Sequence, residues 1–170
     1  MKRVAIIGAG GGGLCAAKHL LSHIGVVEPP VIYEQSNHVG GTWVYEAITP
    51  NCDEPFSSMY ENLRTNLPKE VMSFPDMSHP RNLPSFLHHT EIKKYIENYA
   101  KKFKLYDHIR FQTKVDHVTP NTGGGGWKVT TIENGDKENM ETYDSILTLF
   151  QTILPTNTRA KESLPKQDHS

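Results

Sequence analysis

The chain has 170 residues, of which 36% are hydrophobic, 22% charged and 9% aromatic, with 18 Lys+Arg against 19 Asp+Glu and a formal net charge of -1. That make-up is one soluble globular domain with little room for a two-domain enzyme, and cations so evenly balanced argue against nucleic acid as a partner. The two cysteines, Cys15 and Cys52, stand in no metal-ligand or disulfide-framework spacing, so no metal site is expected and a reducing, cytoplasmic compartment fits best.

Met1-Lys2-Arg3 followed by Val4 to Ala17 has the outline of a leader peptide, but Gly8 and Gly10 to Gly13 interrupt its would-be apolar core. No apolar run approaches the ~20 residues a spanning helix needs, so no membrane segment is expected in this chain.

Arg3 to Ile7 reads RVAII, a short run apolar on both faces, as a buried parallel strand requires. From Gly13 the period becomes helical, with Leu14, Ala17, Leu21 and Ile24 on one face and Gly25 as a stop. Val31-Ile32-Tyr33-Glu34 then reads as a second strand ending in an acid. Together these form a βαβ unit of about thirty residues with G-x-G-x-x-G at Gly8, Gly10 and Gly13 and an acid about 20 residues further on. Gly8 permits the tight turn, Gly10 lets backbone approach a pyrophosphate, and Gly13 lets helix and strand pack closely. The turn Gly8, Ala9, Gly10, Gly11, Gly12, Gly13 thereby presents helix N-H groups to the phosphates. Glu34 accepts from ribose hydroxyls and would repel a 2'-phosphate, so the site prefers FAD or NAD over NADP.

After Glu34 the loop runs to Gly40-Gly41-Thr42-Trp43. This E-x(5)-G-G-x-W pattern is similar to that of two-dinucleotide-domain flavoenzymes, where the loop wraps the pyrophosphate and flavin side of FAD; the resemblance favours FAD and adds Gly41, Thr42 and Trp43 to the cofactor contacts. Tyr60 to Asp76 reads YENLRTNLPKEVMSFPD. It resembles the Y-x-x-L-x-T-N-x-P-K-x-x-M-x-F-x-D of flavin-containing monooxygenases, in particular invertebrate, plant and fungal members, and further agreement through Phe86-Leu87-His88-His89 extends the resemblance over residues 3 to 147. Read alone, Asn66 before Leu67-Pro68 is a turn residue. The resemblance instead implies that Thr65, Asn66 and Leu67 lie by the flavin, with Asn66 as the catalytic residue that steadies the oxygenated flavin by hydrogen bonding. One departure is Asp76-Met77-Ser78-His79-Pro80, where family members often carry D-F-P-F; a usually aromatic patch has become polar, which bears on packing or substrate access.

A helix from about Glu91 to Phe103 places Ile92, Tyr95, Ile96, Tyr99, Ala100 and Phe103 on one face, under a solvated basic face. Adjacent His88 and His89 are poorly spaced for one metal ion and sit where the helix begins, with Thr90 as its cap. Beyond Ile109 the pattern becomes β: segments around Val115, Trp127 to Ile132 and Lys137 to Thr142, separated by Asn121 to Gly126 and Asn134-Gly135-Asp136, make a β-meander. Tyr143 to Leu147 reads as a returning parallel strand. The fold class is α/β: an incomplete Rossmann-like unit with a parallel sheet and inserted meander. By resemblance, Val115 meets the adenine through its backbone.

Residues 1-147 thus form a partial FAD-binding domain, and residues 148-170 read as a largely polar, non-family tail that matches no family segment, with neither the small-residue turn and I-P-G nor a second glycine motif for NADPH. Two origins suit that tail: a shifted reading frame, because one choice of synonymous codons for Thr152 to Glu162 encodes I-P-G in the next frame, or a natural splice form with a disordered end. For the whole family the resemblance implies FAD- and NADPH-dependent oxygenation of soft nitrogen or sulfur nucleophiles by O2 through a flavin hydroperoxide. The alternative is an inactive FAD-binding fragment or interaction form, since hydride delivery needs the NADPH domain. Another flavin- or nicotinamide-dependent oxidoreductase fits less well: a disulfide reductase would need a close cysteine pair that Cys15 and Cys52 do not supply.

Overall fold

The computed structural model describes residues 1-23, 25-47 and 58-149. Ile24, Cys52 and the tail beyond Leu149 lie outside the described residues, and with them the expectations that fall there. Strand β1 (Val4–Ile7) leads through the glycine turn into helix α1 (Gly11–Leu21), and β2 (Val31–Tyr33) follows. Helix α2 (His89–Lys102) precedes β3 (Ile109–Arg110); then come β4 (Thr113–Pro120), β5 (Trp127–Glu133), β6 (Lys137–Tyr143) and β7 (Ser145–Thr148). The parallel sheet has the order β3-β2-β1-β7, while β4-β5-β6 form a separate antiparallel meander. This is the front of a doubly wound Rossmann-like sheet, whose strand order reverses beside β1.

Register decides which face each side chain takes. Ile6 lies opposite Ile32 on one side and Leu147 on the other, and all three pack against α1 and α2. Ala5, one residue along, lies opposite Val31 and Ile146, and these face the meander with Val115, Val129 and Tyr143. The sheet is covered on both faces, which is why its strands read as unbroken apolar runs. Tyr33 and Tyr143 join sheet to meander through hydroxyls 2.6 Å apart. Burial pushes both phenols up from their ordinary pKa, and Arg3 and Arg110 ion-pair with Glu141 at the edge of the same contact.

Helix α1 begins two residues before the position that apolar periodicity indicates, because its first turn consists of glycines that carry no hydropathy signal. It ends at Leu21, ahead of the Gly25 stop, with the Ser22 N-H bonded back to His19. Helix α2 buries Ile92, Tyr95, Ile96, Tyr99 and Ala100, the stripe expected. Its cap is corrected: His88, not Thr90, holds the N-cap, and its Nδ1 accepts from the Thr90 N-H at 3.4 Å. The Nε2 atoms of His88 and His89 both lie about 3 Å from the Glu61 carbonyl, at 2.9 and 3.0 Å, so both rings tie the helix start to the preceding segment.

Residues 58-88 contain little regular structure and are held by specific polar bonds. Thr65 pairs with Leu87 twice, N-H to carbonyl at 2.8 Å and Oγ1 from the Leu87 N-H at 3.0 Å. The Lys69 side chain is buried, and its ammonium donates to the carbonyls of Pro80, Arg81 and Leu83. His79, in the patch that is usually aromatic, is buried with its ring 3.9 Å from that of Tyr95, in a stacked arrangement. The imidazole thus makes a ring-ring contact, while neither of its nitrogens has a hydrogen-bond partner among the described residues.

Two predictions follow from this packing. A Cβ on Gly13 would lie 2.0 Å from the Gly8 carbonyl oxygen. Gly13→Ala should therefore destabilise the chain by roughly 2 kcal/mol in urea unfolding, although helix propensity alone favours Ala by about 1 kcal/mol. Burial, with Lys69 nearby, holds the His79 pKa below the ordinary histidine value. The unfolded chain then binds more protons than the native one as pH falls below about 6.5, so stability declines with acidification across that window. His79→Phe should keep the stacking and flatten this acid limb in melting experiments at pH 5 to 7.5; an unchanged pH slope would rule His79 out as its source.

Candidate functional site

A cleft of about 430 Å³ opens at the carboxyl ends of β1 and β2, the position that the switch in strand order prepares for a ligand. Its floor is the start of α1. Gly10 is the N-cap and no side chain caps the first turn, so the leading N-H groups of the helix have no partner supplied by a cap. Gly10, Gly11 and Gly12 present this end, with its partial positive charge, to the cleft. Close packing keeps it there, because Gly13 sits directly against Gly8 where no side chain fits.

Glu34 follows β2 and is buried at the other wall. Its Oε2 accepts the Ala9 N-H at 2.8 Å, and its Oε1 accepts the Ser36 N-H and hydroxyl, each at 2.9 Å. A carboxylate has about four acceptor sites, so three are spent in fixing the group and one remains on Oε2. Glu34 is therefore pre-positioned by the glycine turn itself, and it has room for one further hydroxyl donor.

The third wall is the loop around Gly41. Gly41 has φ +55°, and a Cβ there would come within 3.0 Å of the Gly10 Cα, so two glycine backbones pack together beside the helix start. The Gly40 N-H bonds the Ala9 carbonyl at 3.1 Å, which fastens the loop to the turn. Thr42 and Trp43 line the cleft from the same loop, and Trp43 also packs on the main core. His38 and Glu46 also line the cleft, with Nε2 and Oε1 4.0 Å apart.

The structure brings together Gly8, Gly10, Gly11, Gly12, Glu34, Gly41, Thr42 and Trp43 around this cleft. Ala9 and Gly13 are buried behind it and act through backbone, as donor to Glu34 and as the packing contact with Gly8. Thr65, Asn66, Leu67 and Val115 do not line it. Thr65 is buried in its pairing with Leu87, Asn66 and Leu67 are exposed beside it, and Val115 packs between sheet and meander just before a β-bulge. Sequence reading missed Ser36, whose position two residues after the acid suits a local side-chain-to-backbone turn, and Leu149, which the register of β7 brings to the cleft. It also gave Lys69 no role, although the residue stands within the longest matching motif.

These residues fit a dinucleotide: glycine backbone for the pyrophosphate, a helix end without a side-chain cap for its charge, and an anchored carboxylate for a ribose. Similarity to known proteins agrees. The chain is 34% identical to flavin-containing monooxygenase 3 of Macaca mulatta over 171 aligned positions, which cover 99% of this chain and 31% of that protein. It is 36% identical to dimethylaniline monooxygenase [N-oxide-forming] 2 of Pan troglodytes over 149 positions, covering 86% of this chain and 26% of that one. Among solved structures, S-allyl-L-cysteine S-oxygenase from Allium sativum superimposes with a TM-score of 0.76 at 31% identity, over 86% of this chain and 36% of the other. The chain thus spans about a third of the length of the relatives it matches. The model of the flavin-binding monooxygenase-like family, whose cofactors are FAD and NADPH, matches residues 1–168 and so continues past residue 147, where the recognised motifs stop. By this match and these identities, the chain belongs to the flavin-binding monooxygenase-like family.

Proposed function

We propose that the cleft holds FAD, and that the chain supplies the FAD-binding part of an NADPH-dependent monooxygenase that oxygenates soft nitrogen or sulfur nucleophiles with O2. The observation that carries the FAD assignment is the uncapped glycine start of α1 facing an anchored Glu34 across one cleft. Relatives named for N-oxide formation and for S-oxygenation support the substrate class. Bound flavin supplies the redox and oxygen chemistry; the protein's share is placement and electrostatics. In this reading the amides at Gly10 to Gly12 take the pyrophosphate, Glu34 takes an adenosine-ribose hydroxyl, and the Gly41-Thr42-Trp43 loop closes over the phosphates. Thr65, Asn66 and Leu67, held in place through the Thr65–Leu87 bonds, approach the flavin end, with the Asn66 carboxamide as its hydrogen-bond donor. The Val115 backbone meets the adenine, and residues 1-147 form the FAD-binding portion.

A second reading is a chain that binds flavin without turnover. Its support is that the described residues contain one glycine-rich βαβ unit, at β1-α1-β2, whereas hydride delivery from NADPH needs a nicotinamide site as well.

Absorbance and turnover separate these outcomes. The purified chain should carry or take up FAD with a flavin spectrum; NADPH oxidation coupled to oxygenation of a tertiary amine or thioether then indicates the enzyme, and flavin uptake without NADPH oxidation indicates the binding form. Gly10→Asp gives a sharper test of the site. Gly10 has extended backbone (φ -77°, ψ 179°) that any residue adopts, and an N-cap Asp satisfies the first-turn N-H groups and places a negative charge at the phosphate position. The variant should melt no lower than the parent yet lose FAD affinity by at least about tenfold, or ~1.4 kcal/mol. Unchanged affinity would count against phosphate binding at this helix end.

A further inference from the structure

Strand β7 pairs with β1 so that Thr148 lies opposite Ile7. The residues that follow the two strands, Leu149 and Gly8, leave the carboxyl edge of the sheet from this last pair, and both line the cleft. The Leu149 Cβ, Cδ2 and Cδ1 lie 3.7, 3.8 and 4.0 Å from the place that a Cβ on Gly12 would occupy. The side chain thus lies along the bare backbone of the first turn of α1. Leu149 is 49% exposed and lines the cleft, so it flanks Gly12, which is itself exposed, on the side where a Cβ would point. An isobutyl group offers no hydrogen bond to an anion, and it takes up space beside an amide that is otherwise available to one. A phosphate oxygen that approaches Gly12 from the Leu149 side meets this side chain, and moving it aside gives up apolar contact.

We propose that Leu149 is a gate at the phosphate end of the cleft: it competes with the ligand's pyrophosphate for the amide end of α1 at Gly12 and so sets how tightly a dinucleotide binds. This rests on reading the cleft as a dinucleotide site. Leu149 acts by occupying the space and touches no reacting atom. A smaller residue uncovers the amide, whereas a larger one covers more of it.

The test measures FAD affinity by quenching of flavin fluorescence, and inorganic pyrophosphate affinity by calorimetry, in the 170-residue chain and its Leu149→Ser and Leu149→Phe variants. Freeing one charge-assisted hydrogen bond should tighten both ligands by about tenfold in Leu149→Ser, and Leu149→Phe should weaken both. Affinities unchanged in Leu149→Ser overturn the gate. So does a loss of FAD with pyrophosphate binding unchanged, which would make Leu149 a support for the flavin or adenine ring. Pyrophosphate bound more tightly by Leu149→Ser, with FAD taken up by neither form, upholds the gate and overturns the dinucleotide reading. No pyrophosphate binding in parent and variant alike overturns the gate.

Discussion

The close approach of Gly13 to the Gly8 carbonyl is the constraint on which the rest of the site depends. With no room for a Cβ between them, α1 starts almost directly beneath the end of β1, and its unpaired amides open at the edge of the sheet rather than into solvent away from it. The adjoining parts follow from the same placement. The Ala9 N-H is turned towards Glu34, the Ala9 carbonyl receives the Gly40 N-H, and Gly41 can lie against Gly10. One steric condition thereby connects helix dipole, acidic anchor and covering loop in a single cleft.

Electrostatically the site is asymmetric in a way that suits its ligand. The floor is backbone amide with partial positive charge and no capping side chain, whereas the far wall carries a buried carboxylate already holding three hydrogen bonds. Phosphate is attracted to the first and repelled by the second; a ribose hydroxyl is the reverse. In the proposed reading this polarity would orient an adenosine diphosphate moiety along the cleft, which no Lys or Arg lines among the described residues.

Regular elements were legible in the sequence wherever hydropathy had a period or a consistent run. Strands β1, β2 and β7, the face of α2 and the three-stranded meander all belong to this class, and so do the glycines and acid of the βαβ unit. The start of α1 was not, because glycine carries no periodic signal, and the cap of α2 was not, because His88 serves there through a ring nitrogen rather than a hydroxyl. Residues 58-88 were legible only through family resemblance: their order comes from Lys69 bonding to three carbonyls and from Thr65 pairing with Leu87, contacts that no local pattern encodes. At the polar departure Met77-Ser78-His79, the His79 ring stacks on Tyr95, a ring contact that the polar reading of the patch did not indicate. Leu149 was missed for a related reason, since its position depends on register with a strand at the opposite end of the chain.

The amide end of α1 and the Glu34 wall are proposed together to receive the adenosine diphosphate part of a dinucleotide. Backbone amide NMR of the nitrogen-15-labelled chain during titration with ADP tests it at single residues. The largest shifts are expected at Gly10, Gly11, Gly12 and Ser36, with little change in the polar groove formed by Arg110, Lys137 and Glu141 on the meander side. Shifts centred on that groove, or none at the glycine turn under saturating ADP, would contradict it.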